Sequence, residues 1–390
     1  MSTSTLLQAP PLSLYIHIPW CVRKCPYCDF NSHEAVPNLD ETAYIGALLA
    51  DLEQELEHVA HSEIQSIFFG GGTPSLFSAK AITDIISGVA NKLTLAADTE
   101  ITLEANPGTA EHGKFSDYRA AGINRLSLGI QSFDDDKLNR LGRIHNRDQA
   151  IKAIESARGA GFDNINLDLM FGLPGQIASA AVDDVKLACE LEPTHISHYQ
   201  LTIEPNTLFY KFPPELPELD SCWDMQQRCH DILGQHGYQQ YEVSAFARAN
   251  RQCRHNLNYW TFGDYIGIGA GAHGKSTLVN RGSIQRRRKH RQPLAYIDQV
   301  IQGAACSGRR ELDPSEIVFE FLLNALRLRD GFSFDLFECR TGIDRRLLIN
   351  ACGAVDPDLL VLSAVGLRTS ARGFDFLNDV LEKFLLQESG

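Results

Sequence analysis

Residues 14–28 read LYIHIPWCVRKCPYC, an apolar strand-like run that passes through one proline and a tryptophan into Cys21, Cys25 and Cys28. The first half of this stretch decides the fold and the second half the chemistry. Runs of the same β-branched and aromatic character recur at 64–69, 100–104, 125–130, 164–170 and 195–203. Between them, residues 41–59, 79–93, 147–161 and 178–191 carry helical spacing, so strand and helix alternate as in a parallel sheet. The pattern predicts an α/β fold, a partial (β/α)6 barrel. In such folds chemistry sits on the loops after the strands. Cys21, residues 70–73, Asn106, Gln131 and the segment beyond Asp168 all fall there.

The C-x3-C-x2-C spacing gathers three thiolates on a tight loop. Structural zinc sites take four ligands, often as paired knuckles, whereas three thiolates on an iron–sulfur cubane leave one iron open. The spacing therefore predicts a 4Fe-4S cluster on Cys21, Cys25 and Cys28 with a small molecule on the remaining iron. Cys189, Cys222, Cys229, Cys253, Cys306, Cys339 and Cys352 lack metal spacing and read as plain thiols.

With 390 residues and 44% hydrophobic content, the chain can build a substantial core and an appended unit. The expected division is a barrel at 1–213, an extension at 214–313 with HNLNYW and a glycine-rich segment, and a smaller α-rich, helical or winged-helix-like domain at 314–390 that ends in an amphipathic stretch at 374–387. A balance of 36 basic against 49 acidic residues, net −13, argues against nucleic acid and anionic membrane as partners. No apolar run is long enough to span a bilayer, and residues 1–11 lack the pattern of an export signal. A cytoplasmic location with reduced cysteines is the expectation.

The cysteine loop resembles the signature of the radical-SAM superfamily. That resemblance implies that S-adenosylmethionine (SAM) binds the open iron through its amino and carboxylate groups, and that an electron from the cluster can cleave it. The rest of the pattern lies where SAM needs it. GGGTP at 70–74 follows the second strand, and Gly71, Gly72 and Thr73 let backbone groups approach the methionyl amino group. Arg143 is expected to pair with the SAM carboxylate. Glu104 and Asp168 would accept hydrogen bonds from ribose or amino groups, and Gln131 would join them. Tyr15 and Tyr27 read equally as pocket or packing residues.

More narrowly, YIHIPWC, GGGTPS, EANPGT, GIQSF, LGRIH and NLDLMFGLPGQ resemble the oxygen-independent coproporphyrinogen III oxidases and their relatives. Two features depart from the oxidases. They carry a fourth cysteine two residues after the third, where this chain has Phe30, and a longer segment before the first strand. Phe30 together with HNLNYW at 255–260 resembles the haem chaperone family, which implies haem binding and transfer to acceptor proteins, respiratory ones among them. The cluster and SAM then serve structure, dimerisation (as a homodimer) or regulated transfer. His255 offers haem iron an imidazole nitrogen, with Tyr259 and Trp260 as flat apolar faces; its other reading is a buried loop whose His and Asn cap backbone groups. His273 in GIGAGAHG is a second candidate, ranked below His255; the other reading of that glycine-rich stretch is close approach of the backbone to the adenine of SAM. The basic run at 286–291, RRRKHR, reads as a solvated loop or a contact for haem propionates or an acidic acceptor. A radical-SAM enzyme acting on a tetrapyrrole, oxidase or haem-modifying, is the alternative, and a plain zinc-binding α/β protein is a third reading.

Overall fold

In the computed structural model, which describes residues 7–35, 39–59, 63–108 and 113–385, the six expected runs are strands β1 (Leu12–Ile18), β2 (Ile64–Gly71), β3 (Leu95–Ala105), β4 (Arg125–Gln131), β5 (Ile165–Phe171) and β6 (His195–Gln200). Each pairs in parallel with the next. The crossovers carry helices α1 (Glu41–Leu56), α2 (Ala79–Ala90), α3 (Phe115–Ala120), α4 (Arg147–Gly159) and α5 (Ala178–Glu190). Helix starts follow local capping chemistry: Asn146 and Gln149 form a capping box on α4, and Ser78 caps α2 while Glu41 of α1 accepts from its hydroxyl.

Strand alternation gives the sheet two different faces. Leu14, Ile16, Ile67, Phe69, Leu103, Leu126, Leu128, Leu167 and Leu169 join the helices in one hydrophobic core. The alternate positions carry Ser13, Tyr15, His17, Glu100, Glu104, Arg125, Ser127, Asn166, Asp168, Ser197 and Tyr199. These line a polar lumen.

The same sheet continues past the expected barrel. After helix α6 (Leu219–Gln235), β7 (Gln239–Glu242) and β8 (Ala245–Ala247) add an antiparallel edge beside β6. At the other end β9 (Asp264–Ile268) pairs in parallel with β1, and β10 (His273–Leu278), β11 (Ser283–Lys289) and β12 (Cys306–Glu311) follow antiparallel. The result is one 12-stranded sheet in the order β12-β11-β10-β9-β1-β2-β3-β4-β5-β6-β8-β7. The glycine-rich segment at 263–274 is therefore strand, turn and strand. HNLNYW lies in a short helix, α7 (Arg254–Trp260), and not in a loop. A second hydrophobic cluster gathers Phe262, Ile284, Phe321, Phe332, Phe337, Leu348 and Val380, drawn mostly from helices after Pro314 and from a small three-stranded sheet. The amphipathic stretch resolves into helices Ala371–Asp375 and Leu377–Leu385; positions 386 and 387 lie outside the described residues.

The expectation of a solvated loop at 286–291 is corrected, because most of this run is β11. Its alternation sends Arg287 and Lys289 into the core and leaves Arg286 and Arg288 on the opposite face. Lys289 meets Asp51 and Glu55 of α1, and Arg287 Nη2 lies 3.0 Å from Glu55. Asp51 also accepts from the Tyr296 hydroxyl at 2.7 Å. All four charged side chains are buried. Lys289→Met would leave two buried carboxylates facing one cation, and a loss of about 3–5 kcal/mol in urea denaturation is expected; a change below about 1 kcal/mol would show the network to be incidental.

Candidate functional site

The cysteine loop leaves β1 at Pro19 and is pinned at its base by a short parallel pairing of Trp20–Cys21 with His33–Glu34. Cys21, Cys25 and Cys28 are free and partly exposed. Burial raises the Cys21 thiol above its ordinary value, a hydrogen bond with Thr73 opposes the rise, and charge on Cys25 adds to it. Cys28 is raised by burial and then by its Cys21 and Cys25 neighbours. Thiolates that repel one another are what bound iron would relieve, since the ligating form is the anion. Arg143 Nη1 stands 3.7 Å from the Cys25 sulfur. A soft donor set of three open thiols at the mouth of a cavity fits an iron–sulfur cluster.

That cavity, of about 480 Å³, lies at the C-terminal ends of the strands. The three cysteines, Gly71, Gly72, Thr73, Glu104, Gln131, Arg143 and Asp168 all line it, and so does Tyr27, which the sequence left open between pocket and packing. Gly71 has φ +115°, and a Cβ there would fall 2.4 Å from the His17 ring; one on Gly72 would fall 2.5 Å from the Trp20 carbonyl oxygen. Only glycine lets β2 run this close beneath the cysteine loop. Gly71 N donates to Glu104 Oε2 at 3.2 Å. Burial, and then the charge of Asp168, push Glu104 up to about 8. Asp168 accepts from Ser127 at 3.1 Å and Asn166 at 2.8 Å, and burial still raises it. Gln131 sits at φ +67° beside a register shift in β4, and its side chain accepts from the Tyr199 hydroxyl at 2.8 Å. Backbone held in this region by a non-glycine residue marks a site where position outweighs comfort. Arg143 Nη2 donates to Asn106 at 2.5 Å and to the Gly129 carbonyl at 2.6 Å, so the guanidinium braces β4 against the cysteine loop as well as facing the cavity.

A larger cavity of about 780 Å³ adjoins the first, and Phe30, Gly71, Glu104 and Trp260 line both. Tyr15 belongs here and not to the smaller cavity; its hydroxyl lies 2.9 Å from His17 Nδ1. Tyr259, Trp260, Phe262 and Tyr265 form an aromatic wall, and His273, Arg286 and Arg288 form a basic one. Burial and the charges of Arg286, Arg288 and Arg291 lower His273 below the usual imidazole value.

His255 lines neither cavity. It is 1% exposed, with Nδ1 2.9 Å from Ser66 Oγ and Nε2 2.9 Å from the Tyr259 hydroxyl. The expectation that it offers haem iron a free nitrogen is corrected: both ring nitrogens are engaged inside the lumen. Glu100 Oε1 accepts from the backbone nitrogens of Arg254 and His255 at 2.9 and 3.3 Å, capping α7 from the neighbouring sheet. Sequence reasoning missed Ser127, Asn166, Ser197 and Tyr199. Their signal was present as polar residues at every second position of β4, β5 and β6.

Glu104 carries a pH signature. Its folded value, about 8, stands above that of the unfolded chain, so its contribution to stability is full below the ordinary glutamate value and is lost as pH rises toward about 8. Melting of the metal-free protein should fall between about pH 5 and pH 8, and less so in Glu104→Gln; identical pH slopes in the two proteins would contradict this.

The family comparisons agree with this geometry. The Radical SAM superfamily model matches residues 15–188, and the HemN C-terminal domain model matches 312–376. "Heme chaperone HemW" of Haemophilus influenzae is 47% identical, covering 98% of this chain and 100% of that protein. The Escherichia coli protein of the same name gives the same figures, and that of Bacillus subtilis is 36% identical over 85% of this chain and 87% of its own. Among solved structures, coproporphyrinogen III oxidase (HemN) from Escherichia coli superposes with a TM-score of 0.81 at 22% identity, covering 96% of this chain and 90% of that one, a likeness of fold. With the barrel, the cysteine loop and near-full-length relatives all in agreement, the chain belongs to the haem chaperone HemW family of the radical-SAM superfamily.

Proposed function

We propose that the protein binds haem and delivers it to acceptor proteins, and that it carries a 4Fe-4S cluster on Cys21, Cys25 and Cys28 with SAM beside it. The observation that carries this reading is the pair of adjoining cavities. One holds every predicted cluster ligand and SAM residue except Tyr15, and the other is large, aromatic on one side and basic on the other. Pockets of this size and lining suit a flat ligand with carboxylate arms. The names of the near-full-length relatives support it.

In this reading Gly71 and Gly72 leave room for the methionyl amino group, Arg143 faces the SAM carboxylate, and Glu104 and Asp168 accept from amino or ribose groups. When bound, the cluster supplies the electron that can cleave SAM. Phe30 stands where the oxidases have a fourth cysteine, and at 58% exposure its ring is open at the wall between the cavities. Residues 1–213 then hold cluster and SAM, 214–313 supply most of the second cavity, and 314–390 pack against its outer end, where Asn324 reaches the lining. A cytoplasmic location fits the ten free cysteines. No described helix is long and apolar enough to cross a membrane.

The test is anaerobic reconstitution with iron and sulfide, haem titration, then SAM with a reductant, scoring bound haem and coproporphyrinogen III conversion. Stoichiometric haem without conversion is expected; conversion would make the protein an oxidase. Cys25→Ala should lose the cluster absorbance while its circular dichroism is unchanged, because the loop is added to a core built elsewhere. Global unfolding of that variant would contradict this.

A further inference from the structure

The aromatic wall of the larger cavity comes from α7, the turn after it and β9, and the basic wall from β10 and β11. On those strands His273 stands opposite Arg288 and Lys275 opposite Arg286, so these four share one face of the sheet. They are not equally free. Lys275 is buried on Asp264 at 2.8 Å, and Arg286 is held by Glu320, with Nε 2.7 Å from the carboxylate, and by the Tyr265 hydroxyl. Arg288 and Arg291 are exposed and form no ion pair among the described residues. Arg288 lies flat across the neighbouring strand, where Gly308 makes room: a Cβ there would come 2.5 Å from its Nε.

Two histidines line this cavity. His17 has both ring nitrogens engaged, by the Tyr15 hydroxyl and by the Asn31 carbonyl, each at 2.9 Å. The exposed ring of His273 has no hydrogen-bond partner among the described residues. An imidazole with an available nitrogen between an aromatic wall and two unpaired guanidinium groups offers an axial donor, a stacking face and two carboxylate clamps at once.

We propose that haem occupies this cavity with its iron on His273 and its propionates on Arg288 and Arg291, and that the HNLNYW helix supplies the stacking wall through Tyr259 and Trp260 while His255 holds that helix in place. This rests on the haem-binding reading and assigns its site. The porphyrin edge then faces the SAM cavity across Phe30, Glu104 and Trp260.

The experiment titrates the reconstituted full-length protein with ferric haem, and in parallel with metal-free protoporphyrin IX, following the Soret band and the fluorescence of the metal-free ring. His273→Ala is expected to shift the Soret band and weaken haem binding by at least roughly tenfold, leave protoporphyrin affinity unchanged, and recover the wild-type spectrum on addition of imidazole. Arg288→Ala should weaken both ligands by roughly tenfold or more. His255→Ala should keep the wild-type Soret position. An unchanged Soret band and affinity in His273→Ala, with wild-type haem binding intact, overturns this assignment alone. Failure of the wild type to bind haem overturns the chaperone reading and the assignment together.

Discussion

A half-open barrel whose inner face is polar is stable only if the groups on that face find partners, because an unsatisfied buried polar group costs far more than a made hydrogen bond returns. The lumen here is unusually charged, with Arg125 buried in the same field as Glu100 and Asp168. Helix α7 closes it. Glu100 caps that helix, His255 joins Ser66 to Tyr259, and Ser66 passes the chain on to Ser13 at 2.8 Å. On the far side His195 ties Asn166 to the Tyr241 hydroxyl, and Asn166 donates to Asp168 in the smaller cavity. Cys253 joins the two networks, donating to Tyr241 and to Glu100, so the floor of the smaller cavity and the plug of the barrel are parts of one hydrogen-bonded body.

The plug also divides the space above it. Trp260, at the end of α7, faces both cavities, and the Arg327 guanidinium stacks 4.4 Å over its ring. Glu104 joins the wall from β3 and Phe30 from the cysteine loop. Whatever fills one cavity therefore touches side chains that bound the other. That contact is a physical route by which an occupant of one cavity can influence an occupant of the other without taking part in a reaction on it.

The antiparallel strands β10 to β12 give the protein a basic surface in a chain of net charge −13. Alternation lets one short run serve two purposes. Arg287 and Lys289 neutralise carboxylates of α1 in the core, while Arg286 and Arg288 point the other way toward the cavity. Lys289, at the end of the strand, also borders the cavity, but the alternation that sends Arg287 and Arg288 to opposite faces is what a strand supplies and a loop does not.

By itself the sequence determined the alternation of strand and helix, the cysteine triplet and the residues at the end of each strand, because these depend on local spacing: three cysteines within one loop, glycines at the end of β2, polar residues at strand ends. Its reading of the strands as runs of β-branched and aromatic residues found their positions but passed over the polar alternate residues, Ser127, Asn166, Ser197 and Tyr199, which mark the lumen. Only the tertiary structure decided that Tyr15 lines the second cavity, that RRRKHR is largely a strand, and that His255 is spent on Ser66 and Tyr259 while His273 has no hydrogen-bond partner among the described residues. These facts depend on contacts between segments far apart in the chain, β2 with α7 and α1 with β11. Whether a histidine nitrogen is available is set by the partner that folding brings to it, and no pattern within HNLNYW or GIGAGAHG records that partner.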